Sequence, residues 1–206
     1  MKTIYQSNVV TADVIDQCIS DYNSREQYQT DTMNKAQPGD SLKLLHALCE
    51  QIIGHRLNYQ SGNFYKHSTP YLPHTDYRVQ QSNTINVVIP LHYTESTPHL
   101  IIFDQVWEQN SLTWCMHYPV LYFEINTGVK GAPYEYPVKN LTGQEIDPVL
   151  YATHLSMYPK KYLHGLSGTA YAFEPGSIMI FDNQRIHCTS KFTGEKLGIS
   201  LRFSVS

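Results

Sequence analysis

The stretch Tyr71–Tyr77, with the sequence YLPHTDY, contains the pattern around which the rest of the chain is organised. His74 and Asp76 are separated by one residue, so on an extended strand their side chains point to the same side of a sheet. An imidazole and a carboxylate on one face are two of the three ligands in sites where two histidines and one carboxylate hold Fe(II). A chain with ten histidines contains such a pair by chance alone. The metal site therefore needs a third ligand elsewhere in the chain.

Composition predicts one folded domain spanning residues 1–206. The chain is 41% hydrophobic and 16% charged, and its length is sufficient for a full core. A net charge of −3 argues against nucleic acid as a partner, because nucleic-acid binders concentrate Lys and Arg. No apolar run approaches the roughly 18–20 residues that span a membrane. Without a signal-peptide pattern, and with widely spaced cysteines, we expect a cytoplasmic chain with free thiols.

The chain starts with helical periodicity and continues with strand patterns. Apolar spacing predicts one helix from Thr11 and a second from Asp40 or Ser41 to Gly54. We expect this N-terminal part, residues 1–56, to support the back of a sheet. Beyond it, many short strands without intervening helices predict a mainly β fold, an antiparallel sandwich or barrel with the jelly roll among them. The predicted strands cover residues 57–67, 72–78, 84–91, 99–104, 170–174, 177–182, 186–192 and 197–205.

Residues 105–169 interrupt this pattern as a mid-chain insert rich in Tyr, Trp and His. Asp147-Pro148 predicts a short helix, because Asp is a good N-cap and Pro suits the first helical position. A long insertion in a compact β fold is often a lid or binding element. We expect the insert to cover the metal site, and the alternative is an exterior subdomain with its own small core.

The C-terminal segment 185–205 predicts a hairpin. Gly194-Glu195 places Gly at the first central position, as a type II′ turn requires. A turn there would put His187 directly opposite Arg202 and on the same face. Lys196 would then lie at the exposed tip of the turn. The histidine and the arginine would thus face one ligand together.

This arrangement of residues matches a particular chemistry. A metal held by His74, Asp76 and His187 keeps three open positions. A 2-oxo acid can fill two of them through its keto oxygen and neighbouring carboxylate, which leaves one for O₂. The far carboxylate needs a cationic partner, and Arg202 with Ser204 can supply it. Both lie on one face of an otherwise apolar strand, where they are costly to bury unless an anion satisfies them.

The pattern resembles the Fe(II)/2-oxoglutarate-dependent dioxygenase superfamily, and within it the small phytanoyl-hydroxylase-like or phage-type oxygenases. The matching elements are His74-Thr75-Asp76, His187 and Arg202-Phe203-Ser204, in that order, and the resemblance covers roughly residues 57–205. It implies a double-stranded β-helix (jelly-roll) core, a metal triad of His74, Asp76 and His187, and an Arg-x-Ser that grips the 2-oxoglutarate tail. The implied cofactors are Fe(II), the co-substrate 2-oxoglutarate and O₂.

Two further features extend this resemblance. Dealkylating oxygenases carry an Asn-x-Tyr that contacts the co-substrate, and Asn63-Phe64-Tyr65 stands in a similar place. Related halogenases have a small residue where this chain has Asp76, so its carboxylate favours hydroxylation. We expect the substrate to be a small metabolite, an amino acid or a peptidyl side chain, with succinate and CO₂ released.

Two other functions are compatible with the residues. A cupin-like metal enzyme of another chemistry would use three or four histidines, and Arg202 and Ser204 would have no role in it. A non-catalytic jelly-roll binding module would hold no metal at His74, Asp76 and His187.

Overall fold

The computed structural model describes residues 1–24, 33–35, 40–75, 83–107, 138–139, 142–160 and 163–206. Mainly β structure follows two N-terminal helices, as the sequence predicts. In chain order the elements are β1 (Ile4–Gln6), α1 (Ala12–Asn23), β2 (Met33–Lys35), α2 (Asp40–Ile53), β3 (Leu57–His67), β4 (Thr84–Tyr93), β5 (His99–Trp107), β6 (Val138–Lys139), α3 (Pro148–Leu150) with a π-helical turn (Tyr151–Leu155), β7 (Gly168–Ala172), β8 (Ile178–Asp182), β9 (Arg185–Thr189) and β10 (Lys196–Val205).

The strands form two antiparallel sheets. The major sheet has the order β1-β8-β4-β10-β3-β2. In the minor sheet β5 lies between β7 and β9, and β6 pairs with the end of β5. The strand predicted at 72–78 appears in the described residues only as an isolated bridge at His74. No helix in the described part of the chain is both long and apolar enough to cross a membrane.

Helices α1 and α2 pack on the outer face of the major sheet, as predicted. Cys18, Leu45 and Cys49 are fully buried in one cluster with apolar residues of β10 such as Leu201 and Phe203. Because strand side chains alternate, the polar residues of β10 point to the opposite face, between the two sheets. The core of that inner space is formed by Tyr65, Val88, Leu100, Ile102, Phe173, Met179 and Phe181.

Local signals for the helix ends are confirmed by the backbone. Gly54, directly after α2, has a φ of +76°, the left-handed conformation that commonly follows a helix. Asp147 caps α3, because its Oδ1 accepts a hydrogen bond of 2.7 Å from the backbone N–H of Leu150.

The described part of the insert lies on the outer face of the minor sheet. Ile146, Leu155 and Leu163 are buried against the outward side chains of β5 and β9, including Ile101 and Ile186. That face is opposite the space between the sheets, so the buried residues named here lie away from that space, and the exterior subdomain stays a prediction. Residues 108–137 lie outside the described residues, and a lid formed by them remains a prediction.

The predicted hairpin between residues 185 and 205 is wrong. β9 pairs with β5 in the minor sheet, whereas β10 runs between β3 and β4 in the major sheet. The loop around Gly194 packs against the end of β4, where the Thr94 N–H donates to the Glu195 carbonyl at 3.0 Å. The chain therefore crosses from one sheet to the other at this loop. Crossing gives β10 hydrogen-bonded partners on both edges, where a hairpin alone gives one.

Candidate active site

His74 and His187 face each other across an antiparallel bridge. Each backbone N–H donates to the carbonyl of the other residue at 2.9 Å. Directly paired residues place their side chains on the same face of the sheet, and the two ring centroids are 4.5 Å apart. The structure thus brings together two of the three predicted metal ligands.

Backbone carbonyls orient both imidazole rings. His74 Nδ1 donates to the Leu72 carbonyl at 2.6 Å, and His187 Nδ1 donates to the Arg185 carbonyl at 3.1 Å. A neutral imidazole that donates from Nδ1 has its lone pair on Nε2, which is the atom that can ligate a metal. The Phe181 ring packs against His187 in a T-shaped arrangement, with ring centroids 4.9 Å apart, and restrains the imidazole further. Both rings therefore have the tautomer and the restraint that a metal ligand needs.

The predicted carboxylate ligand, Asp76, lies outside the described residues, one position beyond Thr75. In the part of the chain that the structure describes, no group of three potential metal ligands forms. The third ligand of the site therefore stays a prediction.

His74 and His187 line a cleft between the two sheets. Its volume is about 560 Å³, open mouth included. Asn63, Tyr65 and Arg202, all predicted to contact a co-substrate, line the same cleft. Ser204, predicted to help Arg202, does not, and its Oγ accepts a 2.9 Å hydrogen bond from Gln60. The described lining residues are Asn63, Tyr65, His67, Tyr71, His74, Val88, Leu100, His187, Cys188, Thr189, Lys196, Ser200 and Arg202.

The position of Lys196 differs from the one predicted from the sequence. The prediction of an exposed turn tip is wrong: Lys196 is 3% exposed, inside the cleft, at the start of β10. Its Nζ lies 4.9 to 5.6 Å from the ring centroids of Tyr65, Phe173 and Phe192. Burial lowers the pKa of Lys196 to about 7. The sequence did contain an indication of this position. Lys196 and Arg202 are six positions apart, and alternation along a strand places two side chains at an even spacing on the same face.

No carboxylate in the described part of the chain forms an ion pair with Lys196. Three rings surround the ammonium group, and cation–π attraction offsets only part of the cost of removing it from water. Binding of an anionic ligand beside this ammonium group is therefore strongly favoured.

Gly198 gives the rings around Lys196 their space. A Cβ at this position would lie 2.5 Å from the Tyr65 hydroxyl oxygen and 2.9 Å from Cζ of Phe173. Any larger residue would have to displace both rings. Gly198 is thus needed at this position on the cleft face of β10, because it leaves room for the two rings.

Arg202 marks the other end of the same strand face. Six residue steps along the strand separate it from Lys196, roughly 20 Å along the backbone. Arg202 pairs with Asn86, which pairs in turn with Phe181, the residue that packs on His187. Arg202 therefore belongs to the histidine end of the cleft and Lys196 to the opposite end. The Nη1 of Arg202 donates to Ser61 Oγ at 3.3 Å.

Ser200 lies on the strand face between these two cations. Its hydroxyl oxygen is buried and has no hydrogen-bond partner among the described residues. In the neighbouring strand it pairs with Asn63, whose side chain also lines the cleft. The middle of the cleft thus offers polar groups between the histidine end and the cation end.

No protein family model matches the chain, and no curated protein sequence matches it. Solved structures do match: the fold is similar to those of non-haem, α-ketoglutarate-dependent enzymes and of proteins solved with 2-oxoglutarate bound, so the predicted resemblance is confirmed at the level of the fold.

One such structure is the α-ketoglutarate-dependent epimerase SnoN from nogalamycin biosynthesis, with a TM-score of 0.55, 11% identity, and coverage of 98% of this chain and 76% of that one. EctD from S. alaskensis with 2-oxoglutarate and 5-hydroxyectoine has a TM-score of 0.53, 12% identity and coverage of 98% and 71%. HygX from Streptomyces hygroscopicus with iron bound has a TM-score of 0.52, 10% identity and coverage of 98% and 81%. At these identities the similarity concerns the fold.

Proposed function

We propose that this protein is an Fe(II)/2-oxoglutarate-dependent oxygenase with a double-stranded β-helix core. The observation that carries the proposal is the layout of one cleft. It has two histidines with Nδ1 bonded to the backbone at one end, and a buried lysine with no carboxylate partner among the described residues at the other. A metal at the histidine end and a dicarboxylate along the cleft would satisfy both ends.

The metal ligands in this proposal are His74, His187 and Asp76. Their donor set, two imidazoles and one carboxylate, suits Fe(II) and leaves positions for a co-substrate and O₂. When bound, the iron with 2-oxoglutarate and O₂ supplies oxidation of the substrate, coupled to conversion of 2-oxoglutarate to succinate and CO₂. The protein's own contribution is to orient the two Nε2 lone pairs through the carbonyls of Leu72 and Arg185.

Lys196 replaces Arg202 as the anchor for the far carboxylate of 2-oxoglutarate. Lys196 is the more buried cation, and a charge-assisted contact to an anion is worth about 1.5–3 kcal/mol. Tyr65 and Asn63 line the path between the ends of the cleft. Arg202, at the histidine end, adds positive charge where carboxylates meet the metal. We assign no co-substrate contact to Ser204.

The substrate would reach the metal past Tyr71. Its side chain is 39% exposed, and its ring centroid lies 4.6 Å from that of His74. We propose hydroxylation of a small molecule, an amino acid or a peptidyl side chain, because the sequence has Asp76 at the position where related halogenases have a small residue. The folds of SnoN, an epimerase, and SnoK, a carbocyclase, are similar to that of this chain. Product analysis would therefore distinguish hydroxylation from epimerisation and ring formation.

The test can be carried out without the substrate. Anaerobic protein is loaded with Fe(II) and titrated with 2-oxoglutarate, and the visible charge-transfer band of an Fe(II)-chelated 2-oxo acid is recorded. We expect about one iron per chain, the band, and slow succinate release when O₂ is admitted. Iron binding without the band would favour a cupin-like enzyme. Absence of iron binding would favour a binding module and overturn the proposal.

A further inference from the structure

Tyr158 connects the described part of the insert to the strand edge that carries the two histidines. Its ring is 4% exposed and packs in the cluster on the outer face of the minor sheet. Its hydroxyl group lies 2.9 Å from the carbonyl oxygen of Tyr71 and 2.9 Å from that of Thr189. The single proton of this buried hydroxyl group is thus shared between carbonyls on both sides of this edge, as a bifurcated hydrogen bond.

The two carbonyls belong to the pairing that also holds His74 against His187. The Thr189 N–H donates to the Tyr71 carbonyl at 3.0 Å, and the Tyr71 N–H donates to Thr189 Oγ1. The neighbouring pair along the same edge is His74 with His187. Tyr71 with Thr189 and His74 with His187 are thus two points at which segment 71–75 is joined to β9, and the bonds of both pairs contribute to the spacing of the histidines.

We propose that Tyr158 is a positioning residue whose hydroxyl group holds segment 71–75 against β9 and thereby sets the distance between His74 and His187. The consequence for metal binding rests on the proposed function. The hydroxyl group is suited to a constant donor role, since burial raises the pKa of Tyr158 well above its usual range and keeps the proton in place. An acceptor role is excluded because both partners are carbonyl oxygens.

Tyr151 provides a matched control within the same segment. Its ring is packed against the same cluster, and its hydroxyl donates at 3.1 Å to the carbonyl of Tyr158. That bond lies within the insert and does not reach segment 71–75 or β9. Tyr158→Phe and Tyr151→Phe therefore each remove one hydroxyl group and keep the ring, but only the first removes a contact to the histidine edge.

The decisive measurement is amide hydrogen exchange in the metal-free protein, at the N–H groups of His74 and Thr189. We expect Tyr158→Phe to speed their exchange about tenfold, as loss of one net hydrogen bond does, and Tyr151→Phe to leave it unchanged. Should Tyr158→Phe fail to fold, Thr189→Val loosens the same pairing by removing the acceptor of the Tyr71 N–H. Unchanged exchange at both amides in the folded variant overturns the positioning role.

A second measurement separates this inference from the proposed function. Titration with Co(II), followed by its visible d–d spectrum, should show about tenfold weaker binding and an altered spectrum in Tyr158→Phe. Tyr151→Phe should match the parent protein in both. If the amides respond but the parent protein binds no Co(II), the positioning role stands and the metal assignment falls. If the amides respond and Co(II) affinity and spectrum stay unchanged, the effect of Tyr158 on the histidine spacing is refuted.

Discussion

The two ends of the cleft are built in different ways. At the histidine end, His74 lies in a short segment at the edge of the minor sheet, and backbone hydrogen bonds to β9 determine its position. At the cation end, Lys196 starts a strand in the middle of the major sheet, and aromatic rings surround its charge. The first end depends on the direction of bonds, and the second on the exclusion of water.

Because the two ends differ in this way, substitutions at one end should affect other properties than substitutions at the other end. Changes at the histidine end should act on the metal, because direction matters most to a ligated ion. Changes at the cation end should act on the co-substrate and on stability, because a buried charge without a counter-ion is costly until an anion arrives. Variants at each end test whether the two ends are separable in this way.

The largest effect is expected for His187→Ala, which removes a proposed metal ligand. Iron binding and activity should be lost together, a greater loss than the roughly 10–100-fold weakening that follows a change in an outer-shell partner. Iron content after dialysis and succinate release are the measurements. His164→Ala, at a side chain that is 55% exposed, is the control and should bind iron as the parent does. Full activity in His187→Ala would exclude the assignment.

At the cation end, Lys196→Met removes the charge and keeps a long apolar side chain. Affinity for 2-oxoglutarate should fall roughly 10- to 100-fold, the equivalent of one charge-assisted contact, while iron binding survives. Calorimetric titration of the Fe(II) protein without O₂ measures the change.

Lys66→Met is the matched control for this variant. Lys66 lies on β3 beside β10 and forms an exposed ion pair with Glu195 at 2.8 Å. Its removal should leave the affinity for 2-oxoglutarate unaltered. Equal losses in the two variants would mean that Lys196 is no specific anchor.

Gly198→Ala should damage the cation end through packing alone. The added methyl group would lie 2.5 Å from the Tyr65 hydroxyl oxygen, so the rings around Lys196 must shift. We expect a loss of about 1–3 kcal/mol in the free energy of unfolding, as overpacked cores show. Chemical denaturation measures this loss, and iron affinity should remain that of the parent. A variant as stable as the parent would show that Tyr65 is free to move.

The last expected effect is a pH dependence of stability. Burial lowers the pKa of Lys196 to about 7, whereas a lysine in the unfolded chain titrates near 10.4. Between these two values the unfolded chain binds more protons than the folded one, so the free energy of unfolding rises as the pH increases from about 7 towards 10.

Denaturation of the ligand-free protein at pH 7 and pH 9 tests this dependence. Lys196→Met should lose the contribution of this lysine to the rise and be the more stable protein at pH 7. Lys66→Met should keep it. An identical rise in the parent protein and in Lys196→Met would show that Lys196 stays protonated in the folded state.

Several features of the fold were predictable because they depend on neighbours in sequence. Alternation in β10 separates Leu201 and Phe203, which face the helices, from Arg202 and Ser200, which line the cleft. Thr11 and Gly54 mark helix ends because capping conformations involve only adjacent residues. The proximity of His74 and His187 was predicted from residue type, since the metal chemistry requires them together, whereas their backbone pairing was not predicted.

The placement of Lys196 depends on partners that are distant in sequence. Gly194 has the positive φ that a tight turn needs, but a local conformation does not specify which sheet the next strand joins. β10 joins β3 and β4 because there its apolar face covers the helices and both of its edges are hydrogen-bonded. The amino-acid sequence was therefore sufficient to predict the alternation of β10 and the residue types of the proposed ligands. The burial of Lys196 and its distance from the histidines arise from the packing of two sheets, because desolvation depends on every neighbour in space.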